Sequence, residues 1–221
     1  MSKTKCALFD LDGTLVNTID DLGGACEILI KKYNFDAHWT KEDYLNFVGN
    51  GAKKLVERAF NETLDEKTLN ERYEEFKPLY DKIKLDHAHA YDGIKEQLDI
   101  LKGMGIKLCV VTNKPNVAAI GMVEHIFGKN YFDCIIGCID GIPTKPDPTS
   151  TFNALKKVGC KPSEAIFFGD SEVDMRTAKN AGIEAVGCSW GFRSFEILFA
   201  EHPSVIIDEP KYISKCFNRF V

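Results

Sequence analysis

The sequence predicts an α/β protein, a parallel sheet carrying helices, with an all-helical insert placed after its first strand. Three observations predict it. From about residue 94 onward, short apolar runs alternate with helix-length amphipathic stretches, the pattern of βαβ units and a parallel sheet. Between 18 and about 85 the periodicity is helical throughout, with no convincing strand. Upstream of that block stands one further apolar run of strand length, Cys6-Ala7-Leu8-Phe9, which ends on Asp10-Leu11-Asp12-Gly13-Thr14. A continuous apolar run of this kind fits a strand buried on both faces.

Taken in order, residues 5–9 read as the first strand. Residues 18–33 read as a helix, with Ile19, Leu22, Cys26, Leu29, Ile30 and Tyr33 on one face. Thr40, with Asp43 three positions on, caps a short helix over Lys41–Val48. Gly49-Asn50-Gly51 breaks it. Residues 52–60 form the next helix, with Leu55, Val56, Ala59 and Phe60 inward. Residues 65–83 form a long charged helix whose stripe is Leu69, Tyr73, Phe76, Leu79, Tyr80 and Ile83. Pro78 inside it is a position for a kink. After the linker Asp86–Gly93, helices over 94–104, 116–127, 149–158 and 173–181 alternate with strands over 106–112, 133–137, 165–170 and 183–187. A last short strand is Val205-Ile206-Ile207. The insert therefore spans 17–89, and residues 1–16 and 90–221 form the α/β part. Two crossings join the parts, near Val16–Thr18 and near 84–92, and paired crossings of this kind permit hinge closure.

The bulk properties narrow the function. With 221 residues, 44% hydrophobic, the chain can bury a sizeable core. A formal net charge of -5 argues against a nucleic-acid binder driven by phosphate contacts. It leaves room for a small anionic substrate held by a few local cations. No apolar stretch approaches a membrane span. Residues Met1-Ser2-Lys3-Thr4-Lys5 lead straight into a strand, with no signal-peptide pattern, so the expected location is the cytoplasm. The 8 cysteines form no zinc pattern; several lie inside apolar runs, where cysteine acts as a small hydrophobe. They are expected to be reduced structural thiols. The expected oligomeric state is a monomer or a weak homodimer.

The chemistry-bearing residues follow the strands. Just beyond successive core strands come Asp10 and Asp12, then Thr112 and Asn113, then Lys145 after the third, then Asp170 followed by Asp174. The carboxyl ends of parallel strands are where open α/β sheets place their ligands. A carboxylate there is costly unless something compensates it, such as a metal. Each residue alone has a plainer account. Asp12-Gly13 could be an ordinary turn, Thr112 a helix cap, Lys145 a solvated loop lysine, and Asp170 with Asp174 a capping pair. It is the coincidence of four segments that points to a site. His87 and His89 read as surface residues, Trp190–Ser194 as a core-and-turn segment near the site rim. Lys53 and Lys54 read as a solvated face that could also meet a substrate anion.

Asp10-Leu11-Asp12-Gly13-Thr14, Val111-Thr112-Asn113, Lys145-Pro146-Asp147-Pro148 and Gly169-Asp170-Ser171-Glu172-Val173-Asp174 resemble, in order, the four motifs of the haloacid dehalogenase-like hydrolase superfamily. The resemblance covers the whole α/β part. It implies a Rossmann-like core with strand order five-four-one-two-three, a helical cap, bound magnesium and aspartyl-phosphate chemistry. Under it Asp10 is the nucleophile. Asp12 is the general acid to the leaving oxygen and the general base to the attacking water. Thr112, Asn113 and Lys145 hold the phosphoryl oxygens. Mg²⁺ is bound by Asp10, Asp170 and the Asp12 carbonyl, with Asp174 supporting it directly or through water.

Dehalogenases of this superfamily have no acid at the position of Asp12. The phosphonate-cleaving relatives replace it too and use a cap lysine, so both chemistries are disfavoured here. The segments around Gly49-Asn50-Gly51-Ala52-Lys53-Lys54, Thr112-Asn113-Lys114-Pro115 and Trp190-Gly191-Phe192-Arg193-Ser194 are similar to the phosphoglycolate phosphatase subgroup. There Asn50 and Gly51 belong to a cap loop that binds substrate. The chain departs from that subgroup at Asn17-Thr18, where Asp-Ser is usual, and at Asp92, where proline is common. The expectation is a Mg²⁺-dependent phosphatase for a small phosphorylated metabolite, phosphoglycolate first. A phosphomutase, or a nucleotidase or pyrophosphatase of the same superfamily, is the alternative. A non-enzymatic phosphate sensor fits the intact motifs less well.

Overall fold

The computed structural model describes residues 4–219. The expectation about Met1-Ser2-Lys3, and the outermost ends of the α/β segments, lie outside the described residues. The chain divides into two compact units, one made of the residues up to Val16 together with those from Ala90 onward, the other of Asn17–His89.

The first unit is a six-stranded sheet. Its strands are β1 (Cys6–Phe9), β4 (Lys107–Pro115), β5 (Cys134–Cys138), β6 (Ala165–Gly169), β7 (Glu184–Cys188) and β8 (Val205–Ile207), in the order β5-β4-β1-β6-β7-β8. Every pairing is parallel. The first five core strands thus stand in the order the family resemblance implies, with β8 added at the β7 edge. Helices α5 (Ile94–Gly103), α6 (Asn116–Phe127), α7 (Thr149–Val158) and α8 (Glu172–Ala181) connect the strands. Two further helices, α9 (Phe195–Ala200) and α10 (Ile213–Arg219), have no counterpart in the periodicity reading. Both are a turn or two long, too short for a repeat to register.

β1 and β6 are buried along their whole length, which is why their sequences are unbroken apolar runs rather than alternating ones. On one face Leu8, Cys109, Val111 and Phe167 pack with Ala154 and Leu155 of α7 and Met175 and Ala178 of α8. On the other, the Phe9 and Phe168 rings stack at 4.9 Å, and Phe168 faces Phe217 of α10 at 6.1 Å. Burying such rings contributes roughly 1.5–3 kcal/mol each. Cys6 and Cys109 sit in this core with their sulfurs 3.8 Å apart, and all eight cysteines are free thiols.

The second unit holds α1 (Ile19–Lys32), α2 (Lys41–Phe47), α3 (Ala52–Ala59) and α4 (Glu66–Ile83). Thr40 and Asp43 form the reciprocal capping box that opens α2, and the Asp65 side chain caps α4 by accepting from Thr68 N–H at 2.8 Å. Leu55, Val56, Ala59 and Phe60 are buried, as are Leu69, Phe76 and Tyr80 of the α4 stripe. α4 runs on through Pro78 as one helix; that residue is on the exposed side. The two crossings, β2 (Val16–Asn17) and β3 (His89–Ala90), pair with each other as a two-stranded sheet. At two residues each they are below what a strand pattern can reveal.

Candidate active site

The site is built by the turns that follow β1, β4 and β6 and by the Lys145 segment. β1 pairs with β6 through Phe9 and Phe168, and Asp10 N–H donates to Phe168 O at 3.0 Å. The register sets Asp10 beside the end of β6, where Asp170 follows. The chain then turns sharply: Gly13 N–H donates to Val16 O at 2.9 Å, and Leu15 and Val16 both donate to Leu11 O at 3.0 Å. Gly13 has φ +90°, and a Cβ there would lie 2.2 Å from Asp170 Oδ2. Only glycine fits this turn, for both conformational and steric reasons.

β4 runs past the end expected at Thr112. Val111 pairs with Ile136 and Pro115 with Cys138, so four steps on β4 match two on β5. A bulge of this kind re-aims side chains. Thr112 is 5% and Lys114 6% exposed, and Thr112 Oγ1 accepts Lys114 N–H at 3.2 Å. Helix α6 begins after Pro115 without any side-chain cap, so Thr112 is not a capping residue. The Asn113 side chain clamps residue 145: its Nδ2 donates to Lys145 O at 3.1 Å, and Lys145 N–H donates to its Oδ1 at 2.8 Å. The Asn113 side chain is thereby a positioning group for residue 145.

Lys145 is not a solvated loop residue. It is 5% exposed, and its Nζ lies 2.6 Å from Asp174 Oδ1 and 2.9 Å from Asp10 Oδ1. The Asp10 contact is out of line for a hydrogen bond, so Asp10 Oδ1 is a buried oxygen with charge compensation and no donor aimed at it. Burial pushes the Asp10 carboxyl up to about 6; the Lys145 ammonium pulls it back and Asp174 adds to the rise. Asp170 is held well above the ordinary carboxylate range, first by burial and then by Asp174 and Asp10. Burial opposes the Lys145 charge, yet Asp10 and Asp174 together raise its pKa.

Asp170 and Asp174 divide the two accounts open to them. Asp174 does cap: Ser171 Oγ donates to Asp174 Oδ2 at 2.6 Å, and Asp174 N–H donates to Ser171 Oγ at 3.3 Å, a capping box at the start of α8. Asp170 does not. It is 1% exposed, with Oδ1 accepting from Thr14 Oγ1 at 2.7 Å and Oδ2 from Phe192 N–H at 2.9 Å. Gly191 lies against it, and a Cβ there would meet Asp170 Cβ at 2.2 Å. Asp10, Asp170 and Asp174 each offer an oxygen, and these oxygens all lie within 4.8 Å of one another. Among the described residues this is the one group of three or more His, Cys, Asp or Glu side chains placed to hold a metal. His87 and His89 are exposed, as expected.

The sequence pattern alone gives two residues of this centre no role. Thr14 orients Asp170, and its own carbonyl accepts from Trp190 Nε1 at 3.0 Å. Lys114 Nζ reaches Asp12 across 102 positions of sequence, 2.9 Å from Oδ1 and 3.3 Å from Oδ2. Thr14 closes Asp10-Leu11-Asp12-Gly13-Thr14, a stretch that by itself shows nothing of its distant partner. Lys114 lies two residues beyond the apolar run that ends at Thr112, so periodicity gives it no place in the strand. Asn50 and Gly51 belong to the helical unit, in the break between α2 and α3, where Asn50 is exposed and Gly51 has φ +88°. Within that unit Lys54 pairs with Glu57 and Glu62 at 2.8 and 3.1 Å, so it is not an uncommitted cation.

Comparison with known proteins shows the family. The family model described as haloacid dehalogenase-like hydrolase matches residues 7–188. A phosphoglycolate phosphatase of Pseudomonas savastanoi pv. phaseolicola is 32% identical over 220 residues, covering 97% of this chain and 80% of that protein. One from Agrobacterium fabrum is 35% identical over 207 residues, covering 92% and 88%. The crystal structure of a candidate phosphoglycolate phosphatase from Lactobacillus delbrueckii subsp. bulgaricus superposes with a TM-score of 0.91 at 31% identity, over 97% of this chain and 98% of that one. The chain belongs to the haloacid dehalogenase-like hydrolase family, in its phosphoglycolate phosphatase-like subgroup.

Proposed function

We propose that the chain is a magnesium-dependent phosphatase that hydrolyses a small phosphate monoester through an aspartyl phosphate on Asp10. Phosphoglycolate is the first candidate, because the relatives that span most of the chain carry that name. The observation that carries the reading is the setting of Asp10. It is a buried carboxylate with one oxygen lacking an aligned donor, flanked by the Lys145 ammonium and by two further carboxylates.

The donor set fits the metal. Mg²⁺ takes oxygen ligands and is usually held by one or two carboxylates together with phosphate and water. Asp10, Asp170 and Asp174 supply an all-oxygen set; burial above all, with the neighbouring carboxylates adding to it, raises Asp10 and Asp170, a setting in which a bound cation would favour the ionised cluster. Asp10 and Asp170 would hold the ion with the Asp12 carbonyl, Asp174 directly or through water. Bound there, it would screen the repulsion between Asp10 and the substrate phosphate.

The chain's own residues then divide the reaction. Asp10 attacks phosphorus, and the bond to the leaving oxygen breaks while Asp12 delivers a proton to it. Asp12 next takes a proton from water, whose oxygen attacks the acyl phosphate, releasing inorganic phosphate and restoring Asp10. Lys145 and Thr112 face the phosphoryl oxygens, which carry the charge of the transition state. Asn113 keeps Lys145 in place through its backbone. In this reading Asn50 and Gly51 of the helical unit serve substrate choice as a cap loop.

The substrate is a small phosphorylated metabolite rather than nucleic acid, in keeping with the net charge of -5. Among the described residues no helix is long and apolar enough to cross a membrane. Eight free thiols suit a reducing compartment such as the cytoplasm, and a monomer or weak homodimer is the working state. The test is phosphate release over a panel of phosphorylated metabolites with Mg²⁺. Asp10→Asn should abolish turnover with the fold intact, and EDTA should silence the wild type. Near-normal activity of Asp10→Asn, or full activity in chelator, rejects the mechanism. Isomer appearing faster than free phosphate points to a mutase instead.

A further inference from the structure

We propose that Lys114 is the positioning residue for Asp12, holding that carboxylate where it exchanges protons with the leaving group and with water. The inference rests on the phosphatase reading and goes beyond it by assigning a residue to which that reading gives no role.

Asp12 lies on the tight turn after β1, where the backbone is fixed by bonds from Gly13, Leu15 and Val16. Those bonds fix its Cα but not its carboxyl, which can still rotate about two side-chain bonds. Lys114 Nζ lies 2.9 Å from one carboxyl oxygen and 3.3 Å from the other. The side chains of the pair are 3% and 15% exposed, so the contact is shielded from water. A lysine stem is flexible, and an ion pair on the surface would hold it weakly. Here the stem is buried, and its backbone N–H is tied to Thr112 Oγ1 at 3.2 Å. The bulge between Val111 and Pro115 is what carries residue 114 to this position.

The two lysines of the site are thereby separated in task. Lys145 faces Asp10 and Asp174, while Lys114 faces Asp12. One cation stands by the nucleophile, the other by the proton carrier. A proton carrier is effective only within hydrogen-bond reach of the atom it serves, and small displacements of positioned groups cost large factors in rate. Lys114 therefore acts through Asp12, and its loss should be felt only while Asp12 is present.

The test is a double-mutant cycle read in turnover. Asp12→Ala should lower kcat by about 10² or more, the range for a lost acid–base group. Lys114→Met should lower kcat by about 10-fold or more with little change in KM, since groups that act as a unit lose their effects together. In the Asp12→Ala background, Lys114→Met should then change kcat by less than about 2-fold. Lys114→Gln, which keeps a donor, should recover part of the loss. The Lys114→Met defect should also shrink with p-nitrophenyl phosphate, whose leaving group needs little protonation. Additive losses in the double variant, or a rise in KM with kcat unchanged, overturn the inference; the latter would make Lys114 a substrate-binding residue.

A crystal structure of Lys114→Met supplies a readout that does not depend on turnover. The expected result is an intact fold with the Asp12 carboxylate rotated or spread over several positions. An Asp12 side chain unmoved from its wild-type position overturns the inference. Wild-type protein that releases no phosphate from any ester would reject the phosphatase reading itself, and the crystallographic result would still decide whether Lys114 orients Asp12.

Discussion

Asp170 illustrates how a single side chain is specified here. Its two oxygens are bound from different parts of the chain, by Thr14 Oγ1 and by Phe192 N–H. The backbone at Gly13 and Gly191 packs directly against it, so closely that a Cβ at either would fall 2.2 Å from an Asp170 atom. A carboxylate so restrained is pre-aimed, and outer partners of this kind commonly set metal affinity by factors of about 10–100. Thr14→Val keeps the shape of a fully buried residue and removes only the donor. We expect it to weaken Mg²⁺ binding by about 10-fold or more, measured by titration calorimetry, with the circular dichroism spectrum unchanged. Wild-type affinity in that variant would show that Phe192 N–H and packing alone orient Asp170. None of this could be read from Asp10-Leu11-Asp12-Gly13-Thr14 in isolation, because the partner of Thr14 is 156 positions away.

Among the elements, α8 ties stability to the site most directly. Its capping box joins Ser171 to Asp174, whose other oxygen meets Lys145. Ser171→Ala should cost ~1 kcal/mol and lower the melting temperature by about 2–4 °C, while Ser171→Thr should restore most of it. A drop in activity beyond that of an equally destabilising surface substitution would show that the cap also aims Asp174. The same scale shows what the sequence could disclose. The long elements were legible because burial on both faces leaves continuous apolar runs, as in β1 and β6, and because caps such as Thr40 with Asp43 act locally. The far end of β4 was not, because a bulge replaces the apolar run with Thr112, Asn113 and Lys114. With it went the pairing of Lys114 with Asp12. The four acids and Lys145 were visible because their strands end at one sheet edge, which topology alone implies.

At the scale of the whole molecule, the acid cluster couples protons to global stability and, under the proposed function, would couple metal to it as well. The Asp10 carboxyl is raised to about 6 from its ordinary 3.8, chiefly by burial, and Asp170 is raised as well. Between those two values the folded chain keeps a proton on Asp10 that the unfolded chain releases. Stability from this source is therefore present at the acidic end of the window and declines as pH rises through it. In chelator, the melting temperature should fall between about pH 4 and pH 7, other groups held equal. Under the proposed function magnesium should reverse the trend, because it would bind the ionised cluster of the folded chain and compete with protons for it. At a concentration of 100 times its dissociation constant the stabilisation is about 2.7 kcal/mol, or roughly 5–10 °C for a chain of this size. The gain should be larger at pH 7 than at pH 5, where protonation already lowers the charge of the site. Asp170→Asn removes one of the raised carboxyls and should flatten both dependences. A melting temperature indifferent to Mg²⁺ at pH 7, in wild-type protein stripped with EDTA, would show that the three carboxylates hold no magnesium.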